Sequence, residues 1–191
     1  SSFNLLCQYD YYLFVKKLLE IDEIDVNSLK DSQSPLFDAV DKENIDIVRL
    51  LLSCPKINVN LGYKLETEIE DYYRFNKIKI NNIEATPLFK AIENENLEIS
   101  KLLLSMPNIN VNLGYKKMSN ETEIYNKTAL YVAISRENIQ IVQLLVSCPN
   151  IDINLHNKVK KILEYKEFKK EKFADLIEIE KVKDTSLLEY E

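Results

Sequence analysis

His156 is the only histidine in a chain of 191 residues, so a histidine-centred triad or metal site has one possible centre. It stands in INLHNK with no cysteine or serine at a diagnostic spacing, and it reads as a surface residue of a loop. Cys7, Cys54 and Cys148 are widely spaced and form no C-x-x-C pair, so neither a zinc site nor a dithiol redox centre is encoded. Acidic residues are abundant, but the pairs that can be drawn are i,i+4 or cross-strand arrangements with basic partners, as on a solvated surface. No D-x-[DN]-x-[DN]-G loop offers a calcium site. The only two glycines, Gly62 and Gly114, both lie in INVNLGYK, which occurs verbatim at 57–64 and 109–116. A lone glycine without Lys-Ser or Lys-Thr beside it is no phosphate loop. No catalytic, metal-binding or cofactor-binding residue is therefore assigned, and no enzyme is expected.

The chemistry that remains is recognition. Tyr63, Tyr72, Tyr73, Tyr115 and Tyr125, with Phe75, crowd the ends of the two octapeptides and the segments that follow them. Aromatic rings on projecting loops are favoured anchors for a partner. The same rings can instead pack on one another and stiffen long hairpins, and both readings stand. A second candidate surface comprises Asp38, Asp41 and Lys42, then Lys90, Glu93 and Asn94, then Val132, Ser135 and Arg136. These positions differ among segments whose apolar positions agree, and the register expects them on the exposed part of short helices.

The segments in question are copies of one unit. SPLFDAVDKENIDIVRLLLSCPKINVN (34–60), TPLFKAIENENLEISKLLLSMPNINVN (86–112) and TALYVAISRENIQIVQLLVSCPNIDIN (128–154) align without a gap. VKKLLEIDEIDVN (15–27) matches the second half of the unit at an offset of 33 residues, and the stretch before it is degenerate. Each copy reads as two short helices. Ser34, Thr86 and Thr128 are suited to cap the first, and Pro35 and Pro87 occupy the first helical position, where a missing N–H is harmless. Asn44, Asn96 and Asn138 separate the helices and can cap the second. Ile45, Val48, Leu51 and Leu52 form a one-sided stripe on that second helix, which Ser100 interrupts in the middle copy. Pro55, Pro107 and Pro149 mark its end.

TPLFKA at 86–91, IVRLLL at 47–52 and INVN at 57–60 together resemble the ankyrin repeat, whose pattern is T-P-L-H-x-A, then V-x-x-L-L, then D-V-N and a β-turn. The resemblance covers roughly residues 1–158. It departs from the pattern at Phe37, Phe89 and Tyr131, where the family has His. It departs again at Glu43, Glu95 and Glu137, where Gly is usual between the helices. It implies an all-α, ankyrin-type solenoid of stacked helix-turn-helix repeats with projecting β-hairpin loops. A unit of this size cannot bury its apolar face alone, so neighbours must stack.

Three successive loops are enlarged at one point of the unit. The step from Asn27 to Ser34 is seven residues, but those from Asn60 to Thr86, Asn112 to Thr128 and Asn154 to Thr185 are 26, 16 and 31. INVNLGYK spans the entry to two of them: its first half reads as strand-like, and its glycine as a turn or bulge. LETEIED and YRFNKIKIN alternate, acidic against basic, which suits an antiparallel hairpin. VKKILEYKEFKKEKFA (159–174) reads as a solvated helix, and IEIEKVKDTS follows the spacing of IKINNIEATP. The expected organisation is a single array over 1–191. A degenerate first repeat spans 1–33; repeats follow at 34–85, 86–127 and 128–184, and a truncated one opens at 185–191.

A net charge of −6 argues against a nucleic-acid partner. No apolar run approaches the ~18 residues of a membrane span, and the start lacks the flanks of a signal peptide. With Ser1 in place of an initiator Met, the sequence reads as a piece of a longer chain. Unpaired cysteines suit a reducing compartment, cytoplasmic or nuclear. The resemblance implies a module that binds another protein through its concave helix face and enlarged loops, without cofactor or small-molecule substrate. A structural spacer within a longer protein is the alternative.

Overall fold

The computed structural model describes residues 2–71, 76–119 and 122–153. Within them the chain runs α1 (Ser2–Gln8), α2 (Tyr12–Leu18), α3 (Pro35–Asp41), α4 (Ile45–Leu52), β1 (Tyr63–Asp71), β2 (Asn76–Ala85), α5 (Pro87–Glu93), α6 (Leu97–Leu104), β3 (Gly114–Ser119), β4 (Thr122–Thr128), α7 (Ala129–Ser135) and α8 (Ile139–Val146). The first helices of successive pairs, α1, α3, α5 and α7, pack side by side, and so do the second helices, α2, α4, α6 and α8. The expectations for 155–191, including the helix over 159–174, the loop position of His156 and the truncated repeat, lie outside the described residues, as do Tyr72, Tyr73 and Phe75.

Helices of seven or eight residues are too short to persist alone in water. Caps and stacking hold them. The side-chain oxygens of Ser34, Thr86 and Thr128 accept from the backbone N–H of Phe37, Phe89 and Tyr131 at 3.1, 3.2 and 3.1 Å. Asn44, Asn96 and Asn138 do the same for Ile47, Ile99 and Ile141. Leu36, Leu51, Leu88, Leu103 and Leu145 close the core, with Ala39, Ala91 and Ala133 where first helices approach. Each such leucine contributes about 1.5–3 kcal/mol by leaving water. Ser100, which breaks the apolar stripe of α6, is fully buried and donates its hydroxyl to the Asn96 carbonyl at 2.8 Å.

Glu43, Glu95 and Glu137 keep the helix-to-helix turn that glycine usually makes, at φ of 54°, 58° and 59°. Left-handed backbone costs a side-chain-bearing residue about 1–2 kcal/mol. Two of these side chains offset part of that by reaching the next repeat: Asn96 donates to Glu43 at 3.0 Å, and Arg136 and Asn138 donate to Glu95 at 3.2 and 3.3 Å. Asp10 takes the same conformation at φ 61°. The stretch that looks degenerate in sequence therefore folds as a first helix pair in the same register.

INVN is not a strand. The chain turns at residues 59–60, closed by the Leu61 N–H on the Asn58 carbonyl at 3.2 Å, and the Asn58 side chain accepts from the Asn60 N–H at 3.1 Å. Among the described residues, the closing asparagines Asn27, Asn60 and Asn112 each clamp the next copy from both sides. Asn27 donates to the Lys56 carbonyl and accepts from the Asn58 N–H, both at 2.8 Å. Asn60 does this to Asn108 and Asn110, and Asn112 to Asn150 and Asp152, all at 2.8 Å. Replacing Asn60 by alanine removes two bonds at one junction, and we expect a loss of about 1–2 kcal/mol in urea unfolding. An unchanged midpoint would show that water replaces the side chain at no cost.

The two enlarged loops are hairpins, and they join. β1 pairs β2 and β3 pairs β4, both antiparallel, and β2 pairs β3 through Ile83 opposite Lys117 and Glu84 opposite Lys116. The result is one four-stranded sheet in the order β1-β2-β3-β4. Glu68 stands opposite Lys79 and Glu70 opposite Lys77, as the charge alternation predicts. The short loop after α2 turns at Asp31 and Ser32, both with positive φ, and its Gln33 bridges to Tyr63, so the pairing runs on from the first repeat.

Gly62 and Gly114 do not serve as turns, since neither has positive φ, and the irregularities in the hairpins lie further out, at Leu65/Thr67 and Lys117/Met118. Their role is close approach. A Cβ on Gly62 would collide with the carbonyl oxygen of Ala85, and one on Gly114 with that of Lys127. The hairpin base closes only where the side chain is missing.

Candidate partner-binding surface

Of the nine helix positions expected to be exposed, the structure corrects two. Asp38 and Val132 are each only 5% exposed. Their slot, the variable residue of the T-P-L-F-x-A phrase, faces the preceding repeat, so α1 covers Asp38 and α5 covers Val132. Lys90 in the same slot is half-buried and bridges back to Asp41 at 3.1 Å while holding Glu93 at 3.1 Å. Lys42, Ser135 and Arg136 are exposed, and Glu93 and Asn94 are half-buried. Most of these groups are engaged within the array. Lys42 pairs with Asp41 at 3.3 Å, Arg136 with Glu95 at 3.2 Å, and the Ser135 hydroxyl donates to the Val132 carbonyl at 2.9 Å.

The electrostatics follow from this packing. Burial alone would push the Asp41 carboxyl up, but Lys90 and Lys42 outweigh it and hold the group below its ordinary range. Burial likewise works against the Lys90 ammonium, and Asp41 and Glu93 more than compensate, raising it. Asp38 goes the other way. Burial raises it to about 6; the Asn4 hydrogen bond opposes that rise, nearby Asp41 reinforces it, and Lys30 and Lys42 only partly offset it. Cys7 beneath it is fully buried, and burial together with the Asp38 charge pushes its thiol to about 12, which makes it an inert core residue. Among the described residues no cluster of His, Cys, Asp and Glu could hold a metal ion, and no helix is long and apolar enough to cross a membrane.

Two of the loop tyrosines pack at the root of the hairpins. The ring of Tyr63 lies 6.1 Å from that of Phe37, and Tyr115 lies 5.9 Å from Phe89, each pair tilted by 30°. The phenylalanines stand where the family pattern has His, so that departure and the tyrosine of INVNLGYK are one paired feature. Such ring pairs contribute about 0.5–1.5 kcal/mol beyond area. Tyr125 lies on β4 opposite Lys117. The three asparagine clamps and the joining of β2 to β3 were missed by sequence reasoning. The clamps had a signal, an asparagine recurring at 27, 60, 112 and 154 where nothing apolar explains it.

Comparison with known proteins follows the same lines. The family model for ankyrin repeats (3 copies) matches residues 68–157. The ankyrin repeat domain of Bcl-3, described as a unique member of the IkappaB protein family, superimposes with a TM-score of 0.57 at 22% identity, covering 78% of this chain and 55% of that one. An ankyrin repeat domain from Acinetobacter baumannii AYE does so with a TM-score of 0.55 at 19% identity, covering 78% and 61%. A search of curated proteins found no match in sequence. Ankyrin repeats are general protein-interaction modules, typically without catalytic activity. Over the matched stretch this chain is built of ankyrin repeats, and its architecture is the ankyrin-repeat solenoid.

Proposed function

We propose that the chain binds a partner protein along one continuous surface, formed by the first helices α3, α5 and α7 and the sheet into which the hairpins merge. The observation that carries this reading is the β2–β3 pairing. It turns two separate projections into a rigid platform beside the helix face, which lowers the ordering cost that mobile loops would bring to a complex. Lys42, Ser135 and Arg136, with half-buried Glu93 and Asn94, are the helix-face positions left to meet a partner. Free thiols at Cys7, Cys54 and Cys148 support a cytoplasmic or nuclear setting.

A spacer role is the second reading. Its support is that Asp41, Lys90, Tyr63 and Tyr115 are satisfied inside the array. A quantitative pull-down separates the two, with the whole chain and a variant in which 64–84 and 116–126 become short turns as baits, both checked for helicity. Loss of an enriched protein with the variant assigns recognition to the sheet; retention assigns it to the helix face. Enrichment of nothing by either bait favours the spacer.

A further inference from the structure

The sheet ends on one side at a strand whose pairing is begun and not continued. Its order is β1-β2-β3-β4, so among the described residues β1 is an outer strand. The short loop after α2 starts to pair along it: Gln33 bridges to Tyr63, and the Lys64 N–H donates to the Ser32 carbonyl at 2.7 Å. There the pairing stops. The step from Asn27 to Ser34 is only seven residues, and the chain turns away at Asp31 and Ser32, both with positive φ. β1 itself runs on to Asp71. A strand repeats every two residues. The main-chain N–H and C=O groups of Glu66, Glu68 and Glu70 therefore point to the same side as those of Lys64, away from β2. The register shift at Leu65/Thr67 does not reverse this, because β1 advances from 65 to 67 while β2 runs from 83 to 80, which puts the extra residue on β2. Any repeat ahead of residue 1 would bring its loop in behind the short one, a layer further from β1.

A row of main-chain groups at a sheet edge is a template for one more strand. Charge selects which strand. β1 is acidic at Glu66, Glu68, Glu70 and Asp71, with Lys64 as its one basic residue. The strand it already pairs with shows what this pattern accepts. Lys79 stands opposite Glu68, Lys77 opposite Glu70, and Ile78 opposite Ile69. A carboxylate accepts several hydrogen bonds, so one lysine does not saturate it. A second copy of β1 is a poor occupant, because glutamates would then stand opposite glutamates. The strand at the other end of the sheet, β4, offers one lysine, Lys127, and no alternation of charge.

We infer that the outer edge of β1, from Glu66 to Glu70, takes up an extended segment of a partner protein as one further strand. That segment carries lysine or arginine at alternate positions and β-branched residues between them. Main-chain hydrogen bonds to residues 66, 68 and 70 hold it, and the acidic positions set its register and its charge. The inference rests on the reading of the sheet as part of the partner-binding surface, and it names the kind of chain that fits.

Fluorescence anisotropy on the whole chain at physiological salt tests this with a labelled synthetic peptide. The probe alternates lysine with valine and threonine over about nine residues, within the range of natural strands. The expected result is saturable binding that N-methylation of every second peptide amide, tried in both frames, weakens at least ~10-fold in one of them. The methyl groups block strand pairing and leave every charge in place. In the chain, Glu68→Pro should bind the plain peptide at least ~10-fold more weakly than Glu68→Gln, because proline also removes the outward N–H. Far-UV circular dichroism checks that both variants are folded, and the methylated peptides need no change to the chain at all. Absence of binding by the plain peptide overturns the inference, and the acidic edge is then a guard against pairing. Equal binding by plain and methylated peptides, or by the two folded Glu68 variants, overturns it as well, leaving charge attraction without strand addition. Neither failure touches the pull-down, whose enriched protein can still hold the faces of the sheet or the helices, so the two readings fail separately.

Discussion

Gly62→Ala is expected to destabilise the chain by about 1–3 kcal/mol, in the range of overpacked cores, and to loosen the first hairpin at its base. Two effects compete. The residue has negative φ, so alanine would lose less backbone entropy on folding and gain about 0.4–1 kcal/mol. Against that, its Cβ would meet the carbonyl oxygen of Ala85, which is main chain and cannot swing aside as a side-chain end could. The same glycine offers its own carbonyl to the Ser34 N–H at 3.2 Å, at the cap of α3, and the preceding Leu61 carbonyl accepts the Ser34 hydroxyl at 2.6 Å. Opening the base therefore pulls on a helix start as well as on the sheet, and the collision wins. Gly114→Ala should behave alike against Lys127. Because β2 pairs β3, the double variant should fall short of the sum, the second alanine finding a sheet already loosened. Urea unfolding of the four chains in this cycle measures both points. Gly62→Asn is the control: asparagine tolerates left-handed turns, so rescue by Asn would restore the turn explanation and defeat the close-approach one.

The contrast between turn and close approach shows where the sequence stops speaking. Caps, helix periods, proline positions and the charge alternation of the hairpins are local, and each names its own element: Thr86 caps α5, Asn96 caps α6, and Glu68 faces Lys79. What decides Gly62 is the carbonyl of Ala85, more than twenty residues away, and no local pattern carries that. The exposure of helix positions failed for a related reason. A seven-residue first helix has neighbours on both sides, so the slot of Asp38 and Val132 is set by the adjacent repeat and not by the helix's own period. The copies also disguise it, since Asp, Lys and Val in one slot look like surface variation. They are three ways of meeting the preceding helix: a buried carboxyl, a bridge to Asp41, and an apolar contact. The sheet was half legible. The first hairpin could be read from its charge alternation and the second only as an enlarged loop, while their joining depends on the spacing of stacked repeats, which brings β2 beside β3.

Asp38 carries the second large effect, and its sign follows from linkage. Its folded value of about 6 lies above the ordinary 3.8, because burial under α1 penalises the carboxylate. Below pH 3.8 the group is protonated in both folded and unfolded chains and burial of the charge costs nothing. Between 3.8 and 6 the unfolded chain ionises first, so stability falls as pH rises. Above 6 both forms are charged and the loss is constant, on the order of 2–3 kcal/mol from 1.36 kcal/mol per unit. Asp38→Asn removes the ionisation while keeping a polar head beside Asn4. It should therefore stabilise the chain at pH 7 by about 1–3 kcal/mol, and the two chains should converge near pH 4. Lys30 and Lys42 pull toward the lower figure, since each loses an attractive charge when the carboxylate goes. Thermal unfolding of both proteins from pH 4 to pH 8 reads the gap directly. A difference that stays flat across this range would mean that asparagine acts through packing alone. A wild-type chain more stable than Asp38→Asn at pH 7 would mean that the lysines outweigh burial, and that the Asp38 slot holds a favourable ionic contact like that of Lys90 with Asp41.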